Sequence, residues 1–391
     1  MRVRYADLRD ALAGYRQTGA PLVAFDGTRY LAAGFGDDLG IYYFIPRLAV
    51  LSGLSLARTI DLFFGTALIA SFFVGTVSLF VTLQSWGLRL WAAFSLGVLF
   101  YFSYIKGDVY LVQSAAVIAV VPWFLHLLKK DLVGAGFVAF LFGSGLLIGF
   151  ANLMRSQAAT GVGIFMVLLV AMGLQCTLGK KLALLAALLV GLLIPVIYFR
   201  GLVARRDSFL LAAQPEYSRP LNQHPFWDTV YLGFGFINNP YVPDFRNELS
   251  AAKVASISPS TPYLSPEYDR IIRTEALRIL TDHPLFVLTT VVAKVCIVAL
   301  LLLACCNFGL FAAVSNPMPW TMELAFGSAL VFNSLFGIIA LPEIQYLLGF
   351  MAFGILYGIF SLAYALEHPQ PGRIQSWLRL FELFARKPRR A

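Results

Sequence analysis

The chain has 391 residues, of which 59% are hydrophobic, 15% aromatic and only 13% charged. A soluble domain carries roughly 25% charged residues, so this chain cannot hide its apolar surface from water and lipid must be its solvent. The net charge of +9 suits nucleic acid in a soluble protein; here the aromatic residues lie in apolar runs rather than along a basic groove, and no nucleic-acid partner is expected.

Residues 1–36 are polar and hold five arginines. The next stretch, 39–58, is apolar and aromatic, with Pro46 and Arg47 in its middle. Either it spans the membrane itself or a first span precedes Met1. A spanning helix needs about 20 mostly apolar residues. Nine further runs meet that need: 61–83, 87–105, 109–128, 131–151, 159–177, 182–200, 285–313, 321–341 and 345–366. Lysine and arginine in short loops mark the cytoplasmic side. Nine spans place Lys129 with Lys130, Lys180 with Lys181, and the basic tail on one side, which predicts a cytoplasmic C-terminus.

The opposite side then receives residues 1–60, the turn at 106–108, the loop at 152–158 and a long loop, 201–284. The expected fold class is an all-α polytopic membrane protein of about nine transmembrane helices with a large extracytoplasmic loop. Residues 1–60 form an extracytoplasmic segment, 61–200 a six-span bundle, 285–366 a three-span bundle and 367–391 a basic cytoplasmic tail. The long loop is rich in proline and tyrosine and reads as irregular but anchored. Its end predicts a helix, with Ser265 as N-cap, Pro266 at the first position and Ile271, Ile272, Leu277 and Leu280 as the apolar stripe. Residues 374–385 predict an amphipathic interfacial helix. Cys176, Cys296, Cys305 and Cys306 lie in or beside apolar runs and read as packing residues.

Four groups could carry chemistry. Asp37 and Asp38 sit between Gly36 and Gly40, just before the aromatic stretch. Carboxylates at a membrane edge serve as a general base or hold a divalent cation against phosphate; otherwise the pair caps the helix that follows. Lys106 and Asp108 flank a turn on the same side, with Asp108 as a second acid or metal ligand. Arg155, three residues after Asn152, stands where arginine is disfavoured; it either binds phosphate bidentately or snorkels to headgroups. The long loop groups His224, Trp227, Tyr231, Asn239 and Tyr241, rings and amides that suit a sugar. Further on, Tyr263, Tyr268, Arg270, Arg273 and Arg278 could hold a lipid phosphate. Within spans, His126 and Glu323 lie near the ends and read as snorkelling, whereas Lys294 lies deeper, where a lipid phosphate could reach it.

An acidic pair before a short helix, paired spans, short loops with Asp and Arg, and one large late loop resemble the GT-C class of integral membrane glycosyltransferases. The likeness covers roughly residues 30–300, and its sharpest element is 36–46. Members include the protein O-mannosyltransferase and lipid A aminoarabinose transferase relatives, and the likeness implies a protein of the bacterial inner membrane. The resemblance implies a polyprenyl-phosphate sugar donor and an extracytoplasmic glycan, lipid or protein acceptor. It makes Asp37 or Asp38 the base, or a ligand of Mg or Mn with Asp108. Arg155, Lys106, Arg273 and Arg278 would hold the donor phosphate. In that class a first span precedes the acidic pair, which favours a span before Met1. Two rivals remain: an O-antigen polymerase or ligase, dependent on Arg246 and His224, and a transporter or flippase of lipid-linked sugar.

Overall fold

The computed structural model describes residues 4–34, 37–106, 109–130, 134–217 and 226–369, with only the backbone described at Lys106. In chain order it opens with helix α1 (Tyr5–Thr18), strands β1 (Val23–Phe25) and β2 (Tyr30–Ala32), and helix α2 (Leu39–Ser52). Then come α3 (Leu56–Thr82), α4 (Trp86–Lys106), α5 (Leu111–Lys129), α6 (Ala135–Met154), α7 (Thr160–Leu168) and α8 (Leu178–Ala213). The former long loop contributes α9 (Phe226–Gly233), α10 (Asn247–Ile257) and α11 (Pro266–Asp282). The chain ends on α12 (Pro284–Cys306), α13 (Phe308–Ser315), α14 (Trp320–Ile339) and α15 (Leu348–Glu367).

Eight of the described helices are long and apolar enough to cross a membrane, so the chain is an all-α, multi-pass membrane protein. The ninth run, 159–177, is shorter than expected. Its apolar helix covers Thr160–Gly173 and closes on a π-helical turn, Leu169–Gly173. At 1.5 Å per residue it reaches about 21 Å, less than the ~30 Å hydrocarbon core. Helix α2, at 14 residues, falls equally short, which argues against a span at 39–58. The run 285–313 is broken: Asn307 takes a φ of 49° between α12 and α13.

The chain divides into two compact units. The first holds Met1–Ile60, Tyr198–Ala299 and Ser334–Leu347. Two features of its first 60 residues are absent from the sequence reading. Helix α1 ends on Gly19 in the left-handed conformation, and β1 pairs antiparallel with β2 through Val23↔Ala32, Ala24↔Leu31 and Phe25↔Tyr30. The turn is held by Asp26, whose Oδ1 accepts from Thr28 N at 2.8 Å and Arg29 N at 2.9 Å. Gly14 lets α1 rest on this hairpin, since a Cβ there would sit 2.4 Å from the Val23 carbonyl oxygen.

Among its described residues, the stretch 201–284 is largely helical. Helix α8 runs on to Ala213, and α9, α10 and α11 enclose their own core of Tyr231, Leu232, Val242, Val254, Ile272 and Ala276, among others. Ser265 caps α11 as expected, its side chain accepting from Tyr268 N. The buried stripe is Tyr268, Ile271, Ile272, Glu275, Ala276 and Ile279, the i, i+3, i+4 spacing of one helix face. Leu277 and Leu280, expected in that stripe, are exposed.

The second unit holds Asp61–Ile197, Leu300–Asn333 and Leu348–Ala391. Helices α5 and α15 run parallel: Gly349 N donates to Gln113 Oε1 at one end, and Lys129 Nζ lies 2.6 Å from Glu367 Oε1 at the other. The dilysine turn after α5 and the end of α15 therefore share one end of this unit. Glycines allow close helix crossings in this unit. Gly145 and Gly149 on α6 meet the Leu188 and Leu192 carbonyls of α8, the small-residue contact expected where lipid supplies no hydrophobic drive between helices. The expected tail helix at 374–385 lies outside the described residues.

Candidate functional site

Asp37 and Asp38 lie at the start of α2, but they differ. Asp38 holds the N-cap position yet makes no capping bond with its side chain. It is fully buried, and Arg4 Nε lies 2.5 Å from its Oδ2. A buried carboxylate needs such a partner, because desolvation of an unpaired charge costs several kcal/mol. Asp37, one residue earlier in the turn, is only partly buried. As a metal ligand with Asp108, Asp38 does not fit: its carboxylate is closed to water and engaged by a guanidinium. Asp108 lies outside the described residues, and among those described no three His, Cys, Asp or Glu side chains gather as a cation site.

Arg47, about two and a half turns along α2 from Asp38, is the only charged residue of that helix and stands in an aromatic setting. Its guanidinium stands 4.0 Å from the Tyr43 ring centroid and 5.3 Å from that of Tyr15. Nη1 donates to the Tyr43 hydroxyl, which also meets the Tyr198 hydroxyl. The sequence signal was present: an arginine within an apolar run is costly unless something holds it.

The residues expected to meet a sugar divide between two places. Tyr231 and Tyr241 line a pocket of about 360 Å³, with Lys253, Glu275, His283 and Arg278, the last expected to hold phosphate. Glu275 accepts from Lys253 at 3.0 Å and Arg278 at 2.7 Å. Tyr241 stacks on His283 with ring centroids 4.1 Å apart. Burial, with the Glu275 charge beside it, pushes the Tyr231 phenol up and keeps it protonated. Trp227 instead packs against the helical core and carries Arg273 over its ring at 5.7 Å. Arg273 and Arg278 are five positions apart on α11, about 140° around the axis, so they do not clamp one phosphate together. Arg270 is paired with Glu267 at 2.7 Å.

Asn239 is fully engaged elsewhere. Its Nδ2 donates toward the Phe234, Ile237 and Val242 carbonyls, and its Oδ1 accepts from Tyr241 N and Val242 N. It builds the turn that presents Tyr241 and has no group left for a sugar. Tyr268, expected on a headgroup surface, is in the core. Its hydroxyl donates to Asp228 Oδ1 at 2.7 Å and lies 2.8 Å from Ser250 Oγ. Burial drives its phenol far up. His224 and the Lys106 side chain lie outside the described residues.

Arg155 belongs to the second unit. It is 7% exposed, with its guanidinium 4.7 Å from the Tyr110 ring centroid. Snorkelling to headgroups is therefore not its role. Asn152 caps α7, accepting from Ala159 N at 2.8 Å and donating to Thr160 Oγ1 at 3.2 Å. The other in-span ionisable residues also have partners within the fold. His126 Nδ1 lies 3.0 Å from Thr82 Oγ1, and Glu323 accepts from Met318 N and the Tyr357 hydroxyl. Lys294 does not reach a lipid phosphate. It is 2% exposed, and its ammonium donates to the Gly233, Ile339 and Ala340 carbonyls.

Compared with known proteins, the chain matches no family model, no curated protein and no solved structure.

Proposed function

We propose that this chain is a bacterial inner-membrane glycosyltransferase of the GT-C kind, moving a sugar from a polyprenyl-phosphate carrier to an extracytoplasmic acceptor. The reading is supported by the division of labour between the two aspartates: Asp38 is locked by Arg4, which leaves Asp37, partly open at the start of α2, as the base. Asp37 takes the proton of an acceptor hydroxyl. That oxygen attacks C1 of the sugar, the bond from C1 to the phosphate oxygen breaks, and the lipid phosphate leaves with the electron pair. Cationic groups stabilise that charge as it develops. In this orientation Lys129 and the end of α15 face the cytoplasm.

The test is Asp37→Asn and Asp38→Asn, separately, in a deletion strain whose glycoconjugates are profiled. Loss of a general base costs about 10²- to 10⁴-fold. Asp37→Asn is expected at normal abundance without product, and unchanged product from it removes the assignment.

A second reading has one observation of its own. A polymerase or ligase would work through a loop histidine and cations, and His283, Arg278 and Lys253 share one pocket. Arg246, the arginine first expected there, is exposed and paired with Asp244. His283→Ala abolishing product while Asp37→Asn does not would favour this reading.

A further inference from the structure

Arg47 is a cation without a counter-ion. Among the described residues no carboxylate pairs with it, and its Nε is buried without a hydrogen-bond partner. Guanidinium carries five N–H donors and no acceptor, and here one of them is spent, on the Tyr43 hydroxyl. A buried unmet donor costs about 1–3 kcal/mol, and a protein retains one where something else meets it. The rings of Tyr15 and Tyr43 hold the guanidinium plane and leave its edge to be met by a bidentate acceptor such as two oxygens of one phosphate.

The surroundings specify what brings that phosphate. Helix α2 is apolar and too short to span, and it exposes Leu48, Val50 and, at 81%, Leu51. Leu48 and Leu51 are three apart and lie on one helix face. Water is a poor neighbour for that face, whereas acyl chains suit it. An apolar flank beside a lone cation in an aromatic cradle is the chemistry of an anionic lipid: chain against the leucines, phosphate against the arginine.

We infer that Arg47, held by Tyr15 and Tyr43, is a binding site for the phosphate of a membrane lipid lying along α2. The inference does not rest on glycosyl transfer. Its readout is binding without turnover, so its failure leaves the role of Asp37 untouched, and the reverse also holds.

The experiment is native mass spectrometry of the full chain released from neutral detergent after addition of one of two lipids, dioleoyl phosphatidic acid or dioleoylglycerol. They share acyl chains and differ by the phosphate. The chain is expected to retain phosphatidic acid and to lose dioleoylglycerol. Arg47→Gln is expected to weaken retention about tenfold, the loss of one charge-assisted hydrogen-bonding pair, with Arg47→Lys between the two. Excess inorganic phosphate is expected not to displace the lipid. Equal retention by Arg47→Gln, equal retention of dioleoylglycerol, or displacement by inorganic phosphate each overturns the inference. If Arg47→Gln does not fold, Tyr15→Leu decides: it removes one side of the cradle, and unchanged retention overturns the inference.

Discussion

Asp38 and Arg4 form an ion pair that joins the residue ahead of α1 to the start of α2, with the carboxylate fully buried and Arg4 Nε 2.5 Å away. The pair explains why two adjacent aspartates cannot share one role. Breaking such a pair from one side strands a buried charge, at about 3–5 kcal/mol for a fully enclosed pair. Arg4 retains 18% side-chain exposure, so the lower end applies. Arg4→Gln is expected to lower the thermal midpoint of the purified chain as much as Asp38→Asn does. The double variant should lose less than the sum, because it leaves no stranded charge. Asp37→Asn should leave the midpoint in place. Additive losses at Arg4 and Asp38 would show that the two act separately.

The membrane class was legible because it rests on composition and on runs of about 20 apolar residues, and both survive any local packing. The small helical cluster within 201–284 was not. Its helices are short, and proline-rich connections mask their periodicity. The hairpin was readable in principle. The stretch Phe25-Asp26-Gly27-Thr28 carries the Asp-Gly turn signal between two short apolar runs, which lack the polar–apolar alternation that marks a strand. Lys294 and Asn239 misled for one reason: a polar side chain in the sequence looks free, whereas in the fold backbone carbonyls and amides claim it. No spacing rule reveals such a partner when it comes from residues 45 or 61 positions away, as with Lys294.

Asn239 carries a sharp prediction because it both donates and accepts. Asn239→Asp keeps the two accepted bonds from Tyr241 N and Val242 N but turns an anion toward the Phe234, Ile237 and Val242 carbonyls. Each orphaned buried acceptor costs about 1–3 kcal/mol. The aspartate variant is therefore expected to be less stable than Asn239→Ala, despite its closer shape. Proteolysis at the 237–242 turn should rise in the same order. If aspartate proves the milder change, the amide is not the keystone of this turn.

Lys294 ties two backbone segments with one ammonium: Gly233 O at 2.8 Å on one, Ala340 O at 2.6 Å and Ile339 O at 3.3 Å on the other. An ammonium has three donors, and all are used. Lys294→Met keeps the apolar stem and abandons the carbonyls, so a loss on the order of 3 kcal/mol is expected. Lys294→Gln, with two N–H groups, should recover part of it. Thermal unfolding in detergent followed by tryptophan fluorescence gives both values. A stable methionine variant that binds phosphatidic acid less well would instead give Lys294 a ligand role.

Glu275 is the shared acceptor of the α10–α11 pocket, and its two partners are unequal. Its side chain is 11% exposed, against 31% for Lys253 and 59% for Arg278. An exposed arginine contributes at most about 1 kcal/mol through such a contact, so Arg278→Ala should move stability little. Glu275→Ala leaves two cations facing each other beside the buried Tyr231. A fully enclosed pair would lose 3–5 kcal/mol; solvent screening of both partners reduces this to about 2 kcal/mol. The order expected in urea or thermal unfolding is Glu275→Ala, then Lys253→Met, then Arg278→Ala. A cycle of Lys253→Met with Glu275→Gln isolates the inner contact. Zero coupling there, with a large loss from Arg278→Ala, would place the working charge pair at the pocket's rim and reverse the assignment.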